Sequence, residues 1–256
     1  MADTSAPSTY AAYWLFRLDP AFRRLPDDAQ RAAKAEYLTA LESLPEGVEL
    51  RGTYSLVGLR DDADLMFWVV GTDLDAVQRL AVTLRHTALG AYLTATATYI
   101  GVVTPARYDP GHLPAFMLGV QPKKFISVYP FVKTADWYLL PYEKRRELMA
   151  EHGYVGRKYA VSREALRPAA DGEESGARTA TAVAEAPVGG GVLANTVDAF
   201  GLGDYEFILA NESDDPAEIC RMMESLRAVE VRRYTKLDVP IFLGRRRDPA
   251  EALADL

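Results

Sequence analysis

One supersecondary order occurs twice along this chain, and it restricts the fold more than any other feature. In the first pass "YAAYWLFRLD" (10–19) is an aromatic-rich strand. Residues 27–44 then place Ala33, Tyr37, Ala40, Leu41 and Leu44 at helical spacing, behind two aspartates suited to the positive end of a helix dipole. "VELRGTYSLVGL" and "DLMFWVVGT" are strands joined by the hairpin signal "RDDA". A helix over 73–93 and a strand over 94–105, ended by Pro105, complete the unit. In the second pass the strand is "FISVYPFVK" (125–133), followed by a helix over 141–159. The strands "VLANTVDAFGL" and "DYEFILANES", a helix over 215–235 and a strand over 239–246 come next.

The order β-α-β-β-α-β is the ferredoxin-like unit. The passes also align by residue: "DLMFWVVGTD" with "DYEFILANES", and "TLRHTALGAY" with "SLRAVEVRRY". Leu84-Arg85 and Leu226-Arg227 are each followed by a tyrosine eight residues after the leucine. An open sheet needs a covered face, so two such halves are expected to pack as one barrel-like α+β subunit. The expected division is an N-terminal half over 10–124, including a Pro/Gly-punctuated connector at 106–124, and a C-terminal half over 125–247. Residues 161–191 are rich in Ala, Gly, Glu, Ser and Thr and poor in large apolar groups. That composition reads as a mobile insertion.

Composition narrows the function. The net charge of -7 makes the chain a poor candidate for nucleic-acid binding, which needs a basic footprint. A single cysteine excludes a disulfide framework and a cysteine-based zinc site, and Cys220 beside Met222 and Met223 reads as core filler. No apolar run approaches the roughly 18 residues of a membrane span, and the N-terminus carries no signal-peptide pattern, so a cytoplasmic protein is expected.

The chemistry-bearing residues gather near the start of the second half. Alternation along "FISVYPFVK" puts Tyr129 and Lys133 on one face, roughly 13 Å apart, and Ile126, Val128 and Val132 on the other. The aliphatic face is expected under the helices, with the Tyr/Lys face toward the interior. Pro130 removes a ladder donor and predicts an edge or a bulge. His152 shares a helical stripe with Leu148, Met149 and Val155; a satisfied core histidine and a metal ligand both fit that setting. Gly153 beside it leaves room for a bulky flat ligand. His112, in the connector, reads as an exposed loop residue or a functional one, and His86 as structural.

Taken together, "YPFVKTADWYLLP", "EHGYVGRKY", "HLPAFM" and "FGLGDYEF" resemble the chlorite dismutase superfamily and, within it, the coproheme decarboxylases of the actinobacterial type. The resemblance implies two ferredoxin-like halves per subunit, commonly in a ring of five. It implies an iron porphyrin that is substrate and redox cofactor together: coproheme loses two propionate carboxyls to become haem b, with hydrogen peroxide as oxidant. Tyr129 matches the catalytic tyrosine, His152 the iron ligand, and Lys133 a basic residue that helps hold propionates. Trp137 matches a tryptophan eight residues after the tyrosine. His112 matches the distal histidine of that branch, while Ala194 stands where other branches carry glutamine. Arg157 and Lys158 are candidates for further anion contacts, and Glu206 for orienting His152. A transient contact with the iron-inserting chelatase is also implied. A haem peroxidase and a non-catalytic haem-binding protein are the competing readings.

Overall fold

The computed structural model describes residues 8–105, 113–161 and 191–256. His112 and nearly all of the 161–191 insertion lie outside the described residues.

Four strands of the first half, β1 (Tyr10–Leu18), β2 (Val48–Ser55), β3 (Leu65–Gly71) and β4 (Leu93–Val102), lie in the order β4-β1-β3-β2. The next strands are β5 (Phe125–Lys133), β6 (Leu193–Asp198), β7 (Phe207–Ser213), the three-residue β8 (Thr235–Leu237) and β9 (Phe242–Arg247). Of these, β9-β5-β7-β6 repeat the first order, with β8 beside β5. β2 joins β9 and β4 joins β6, so the two sheets close into one antiparallel barrel. Closure removes the free edges that two separate sheets would present.

The helices coat the outside. α1 (Asp27–Glu42) and α2 (Leu74–Arg85) cover the first half. The second half carries α3 (Ala135–Leu139), α4 (Tyr142–Arg157) and α5 (Pro216–Arg227). Asp73 caps α2 by accepting from the Asp75 N–H at 3.0 Å, and Asp215 caps α5 by accepting from the Ala217 N–H at 3.0 Å. These helices are both 12 residues long. The paired tyrosines of the repeat also do the same work. The Tyr92 carbonyl accepts from Asp19 N–H at 2.8 Å, just past β1, and the Tyr234 carbonyl accepts from Thr134 N–H at 2.8 Å, just past β5.

Four expectations change. The helix expected over 73–93 ends at Arg85, and a 3₁₀ turn (Gly90–Tyr92) leads into β4. The helix expected over 215–235 ends at Arg227; a 3₁₀ turn (Glu230–Tyr234) and β8 take the remainder. A short C-terminal helix, α6 (Pro249–Ala254), follows β9 and buries Ala252, Leu253 and Leu256 among the residues of the first helical layer. Cys220 is exposed on α5 rather than core filler, because the apolar face of that helix runs through Ile219 and Met222.

Two layers of core result. Inside the barrel pack Tyr13, Leu15, Tyr54, Met66, Trp68, Tyr99, Ile126, Val128, Ile208, Ala210 and Phe242. Phe116, from the connector, closes over Trp68 with ring centroids 5.4 Å apart. Within this apolar filling lies an ion pair that spans the halves: Arg51 of β2 donates to Glu212 of β7 at 3.2 Å, their side chains 6% and 0% exposed. Glu212 also accepts from Asn195 of β6 at 3.1 Å and from the Lys123 N–H of the connector at 2.9 Å.

Removing one member of such a pair leaves a buried charge alone, at a cost of about 3–5 kcal/mol, whereas replacing both with apolar groups is close to neutral. Glu212→Leu is therefore expected to lower the unfolding free energy measured in urea by that amount, and Arg51→Met/Glu212→Leu to recover most of it. A single variant within 1 kcal/mol of wild type, by about the resolution of such measurements, would refute the clamp.

Candidate functional site

β5 sets the site's frame. Barrel closure turns Ile126 and Val128 into the lumen. The alternate residues Phe125, Ser127, Tyr129, Phe131 and Lys133 therefore face outward, toward the helical layer. This reverses the expected orientation: the aliphatic face fills the barrel and the Tyr/Lys face lies under α3–α5. Pro130 costs no ladder bond on one side of β5. β9 pairs with β5 only over Phe125–Val128, and β8 only at Val132 and Lys133, so Pro130 falls in the gap between them.

Tyr129 is 3% exposed. Its hydroxyl donates to the Met223 sulfur of α5 at 3.4 Å and accepts from Asn211 Nδ2 of β7 at 3.5 Å. Burial raises its pKa to about 12, opposed by the Asn211 hydrogen bond. Asp238 adds to the rise, and Arg227 and Arg232 oppose it. The two arginines both donate to Asp238 Oδ2, Arg232 at 2.9 Å. One carboxylate between two guanidiniums leaves net positive charge beside the tyrosine.

The Lys133 ammonium sits 4.4 Å from the Trp137 ring centroid and 5.1 Å from that of Phe131. Burial lowers its pKa to about 8, with Arg232 adding to the fall and Glu206 opposing it. Trp137 is buried on α3 and lies against Tyr234 with centroids 5.7 Å apart. Around it pack Leu148, Met149 and Val155 of α4, the residues flanking His152 on its helical face. The four described candidates, Tyr129, Lys133, Trp137 and His152, thus come together between the sheet and α3–α5.

His152 is half-buried on α4, and its Nδ1 is buried with no hydrogen-bond partner among the described residues. Burial lowers the imidazole pKa to about 4; Lys133 pushes in the same direction and Glu151 against it. At neutral pH the ring is uncharged and its nitrogen lone pair is available. Glu206 does not orient it. Glu206 Oε2 instead accepts from the Lys133 N–H at 2.7 Å and from the Tyr138 hydroxyl at 2.6 Å, because β7 begins beside the end of β5. Arg157 and Lys158 are exposed at the end of α4; a Cβ at Gly153 would meet the Arg157 guanidinium at 3.1 Å. Ala194 pairs with Asn211 across β6 and β7, on the outward face shared with Tyr129.

Sequence reasoning missed Arg227, Arg232, Asn211 and Met223. The arginines were visible in "SLRAVEVRRY", but only the fold bends that segment through a 3₁₀ turn so that both meet Asp238. Open clefts of about 380 and 520 Å³ lie along the β2–β9 seam, and none of the four candidates lines either.

A family model described as chlorite dismutase matches residues 30–169 and 183–247. The chain belongs to the chlorite dismutase family. The coproheme decarboxylase of Mycolicibacterium smegmatis is 36% identical over 212 residues, covering 82% of this chain and 79% of that protein. A double mutant of the chlorite dismutase from Candidatus Nitrospira defluvii superposes with a TM-score of 0.78 at 24% identity, covering 98% of this chain and 96% of that one. The same bacterium's chlorite dismutase in complex with imidazole gives 0.76 at 24% identity, covering 96% and 94%. These two structures establish the shared family fold.

The depressed His152 pKa links to stability with a definite sign. An imidazole held at about 4 against an ordinary 6.5 favours the folded state above pH 6.5, and this contribution is lost as pH falls toward 4. The ligand-free protein is expected to lose about 3 kcal/mol over that window from this group. The measurement is denaturant stability against pH for wild type and His152→Gln; parallel curves would show that His152 titrates normally.

Proposed function

We propose that this chain is a coproheme decarboxylase, converting two propionates of iron coproporphyrin III to vinyl groups with hydrogen peroxide and yielding haem b. The observation that carries the reading is the half-buried His152 imidazole: neutral, its buried Nδ1 without a hydrogen-bond partner among the described residues, within electrostatic reach of Lys133, in a family member 36% identical to a coproheme decarboxylase.

The residues fit an iron porphyrin. Among the described residues no group of three or more His, Cys, Asp and Glu converges. A lone histidine suits an iron whose equatorial donors come from a macrocycle. A tetra-anionic substrate suits a site where Lys133, Arg227 and Arg232 outnumber Asp238 and Glu206, in a chain whose net charge is -7. Bound there, the porphyrin supplies the redox chemistry and the oxidisable propionates in one molecule.

The chain supplies position and proton movement. His152 would hold the iron by a neutral ring nitrogen, and the iron would supply the reaction with peroxide. His112, outside the described residues, is proposed as the general acid–base that takes and returns the peroxide proton, work suited to an imidazole near neutrality. Tyr129 gives up an electron and its hydroxyl proton, and the tyrosyl takes a hydrogen atom from a propionate β-carbon, restoring the phenol. The carbon radical then loses one electron and CO₂ to leave the vinyl group. Each propionate thereby consumes one peroxide and one proton and releases CO₂ and two waters. Lys133 anchors propionate carboxylates over Trp137, and its pKa of about 8 makes that anchoring weaken as pH rises through 8.

No described helix is long and apolar enough to cross a membrane. The same reading places the reaction in the cytoplasm, in a five-subunit ring that receives its substrate after the chelatase inserts iron.

The test loads the protein with iron coproporphyrin III, titrates peroxide and follows the porphyrin by mass spectrometry. Stepwise loss of two carboxyls to haem b is expected, and Tyr129→Phe is expected to bind the porphyrin but stop before the first loss. Oxidation of a reporter dye with the porphyrin mass unchanged would make the protein a haem peroxidase instead. No porphyrin binding would return His152 to the helix core.

A further inference from the structure

Tyr129 presents a contradiction for its proposed role. A residue that must touch a propionate is 3% exposed, and its hydroxyl is covered by Met223 Sδ at 3.4 Å. We propose that Met223 is a positioning residue for Tyr129, its thioether occupying in the ligand-free protein the acceptor place that a substrate carboxylate takes over. The identity of the displacing group rests on the decarboxylase reading above.

The choice of sulfur has a physical reason. A buried phenol hydroxyl without an acceptor is costly, so the closed site must offer it one. Water would need room and further partners. A carboxylate or amide oxygen would hold the hydroxyl firmly and compete with substrate. A thioether is a weak acceptor, and it sits on an unbranched side chain with three rotatable bonds. It satisfies the hydroxyl and yields readily, because a hydrogen bond to an ionised oxygen is roughly twice as strong as one between neutral groups.

The surroundings support such an exchange. Asn211 donates to the same hydroxyl from the sheet side, so the phenol oxygen stays fixed when its acceptor changes. Arg227 lies one helical turn after Met223 on α5 and shares its face. A carboxylate replacing the sulfur thus arrives beside positive charge that already acts on Tyr129. Met222, just before it in the chain, is 5% exposed within the small apolar cluster of Val192 and Ile219, and the half-buried Met223 packs against the edge of that cluster.

Two variants separate positioning from packing. Met223→Leu keeps the volume and removes the acceptor; Met223→Gln keeps the length and supplies a stronger one. In ligand-free protein carrying ¹³C-tyrosine, the Tyr129 ring resonance is assigned by its loss in Tyr129→Phe. It is expected to shift in Met223→Leu, with faster exchange of the hydroxyl proton, and slow exchange is expected to return in Met223→Gln. Coproheme affinity is expected to tighten in Met223→Leu, which has no acceptor to displace, and to weaken about three- to tenfold in Met223→Gln, the size of one hydrogen bond. An unchanged resonance and exchange rate in Met223→Leu would reduce Met223 to packing. Equal coproheme affinity in wild type and Met223→Gln would overturn the exchange with substrate. Absence of coproheme binding by wild type would overturn the decarboxylase reading and the exchange together, while the resonance still decides whether Met223 holds the phenol.

Discussion

Glu212, wholly buried in the barrel, holds groups from β2, β6 and the connector at once. At the seams themselves the halves meet through short strand pairings, with Arg60 of the first half donating to the Ile241 carbonyl of the second at 3.2 Å. β4 meets β6 through the Val102–Asp198 pairing, and β2 meets β9 over three residue pairs. Hydrophobic filling of the lumen is strong but indifferent to register. A charge that must find Arg51, Asn195 and the Lys123 N–H is not. The pair thus supplies little net stability for its burial and much of the specificity of how one ferredoxin-like half closes on the other.

Closure has a consequence for chemistry. Once the lumen is filled by aromatic and aliphatic side chains, no flat macrocycle can enter it, and the strands have only their outer faces to offer. In the first half that face is covered by α1, α2 and α6 around Trp14, Phe22, Tyr37 and Phe67. In the second half the equivalent layer is thinner: small clusters around Trp137 and around Met222, with Lys133, Arg227, Arg232 and His152 among them. The same supersecondary unit therefore builds a packed wall once and a polar site once. That site holds an imidazole nitrogen with no hydrogen-bond partner among the described residues and an ammonium over a tryptophan.

Much of the architecture was legible in the sequence. Helical spacing through Ala33, Tyr37 and Leu41, the strand runs and the repeated Leu-Arg…Tyr pattern are local or periodic, and each survives in the structure. The paired tyrosines even bond equivalent backbone positions. Elements shorter than two periods escaped: α3, β8 and α6 carry too few residues to show a pattern. The break of the last long helix at Arg227 was hidden because "AVEVRRY" continues helix-compatible residues while tertiary pairing bends it into a 3₁₀ turn and β8.

By itself, then, the sequence determined the two β-α-β-β-α-β units, the face shared by Tyr129 and Lys133, and the stripe that carries His152. These follow from backbone periodicity and involve residues close in the chain. Only the tertiary structure decided which way that shared face looks. Alternation fixes the two sides of β5 relative to each other, but closure of the barrel chooses the one that goes inside. It likewise decided that Glu206 serves Lys133 and Tyr138 rather than His152, and that Met223 and Asn211 meet the Tyr129 hydroxyl. Those partners lie 68 to 94 residues apart in the chain, beyond the reach of any local pattern.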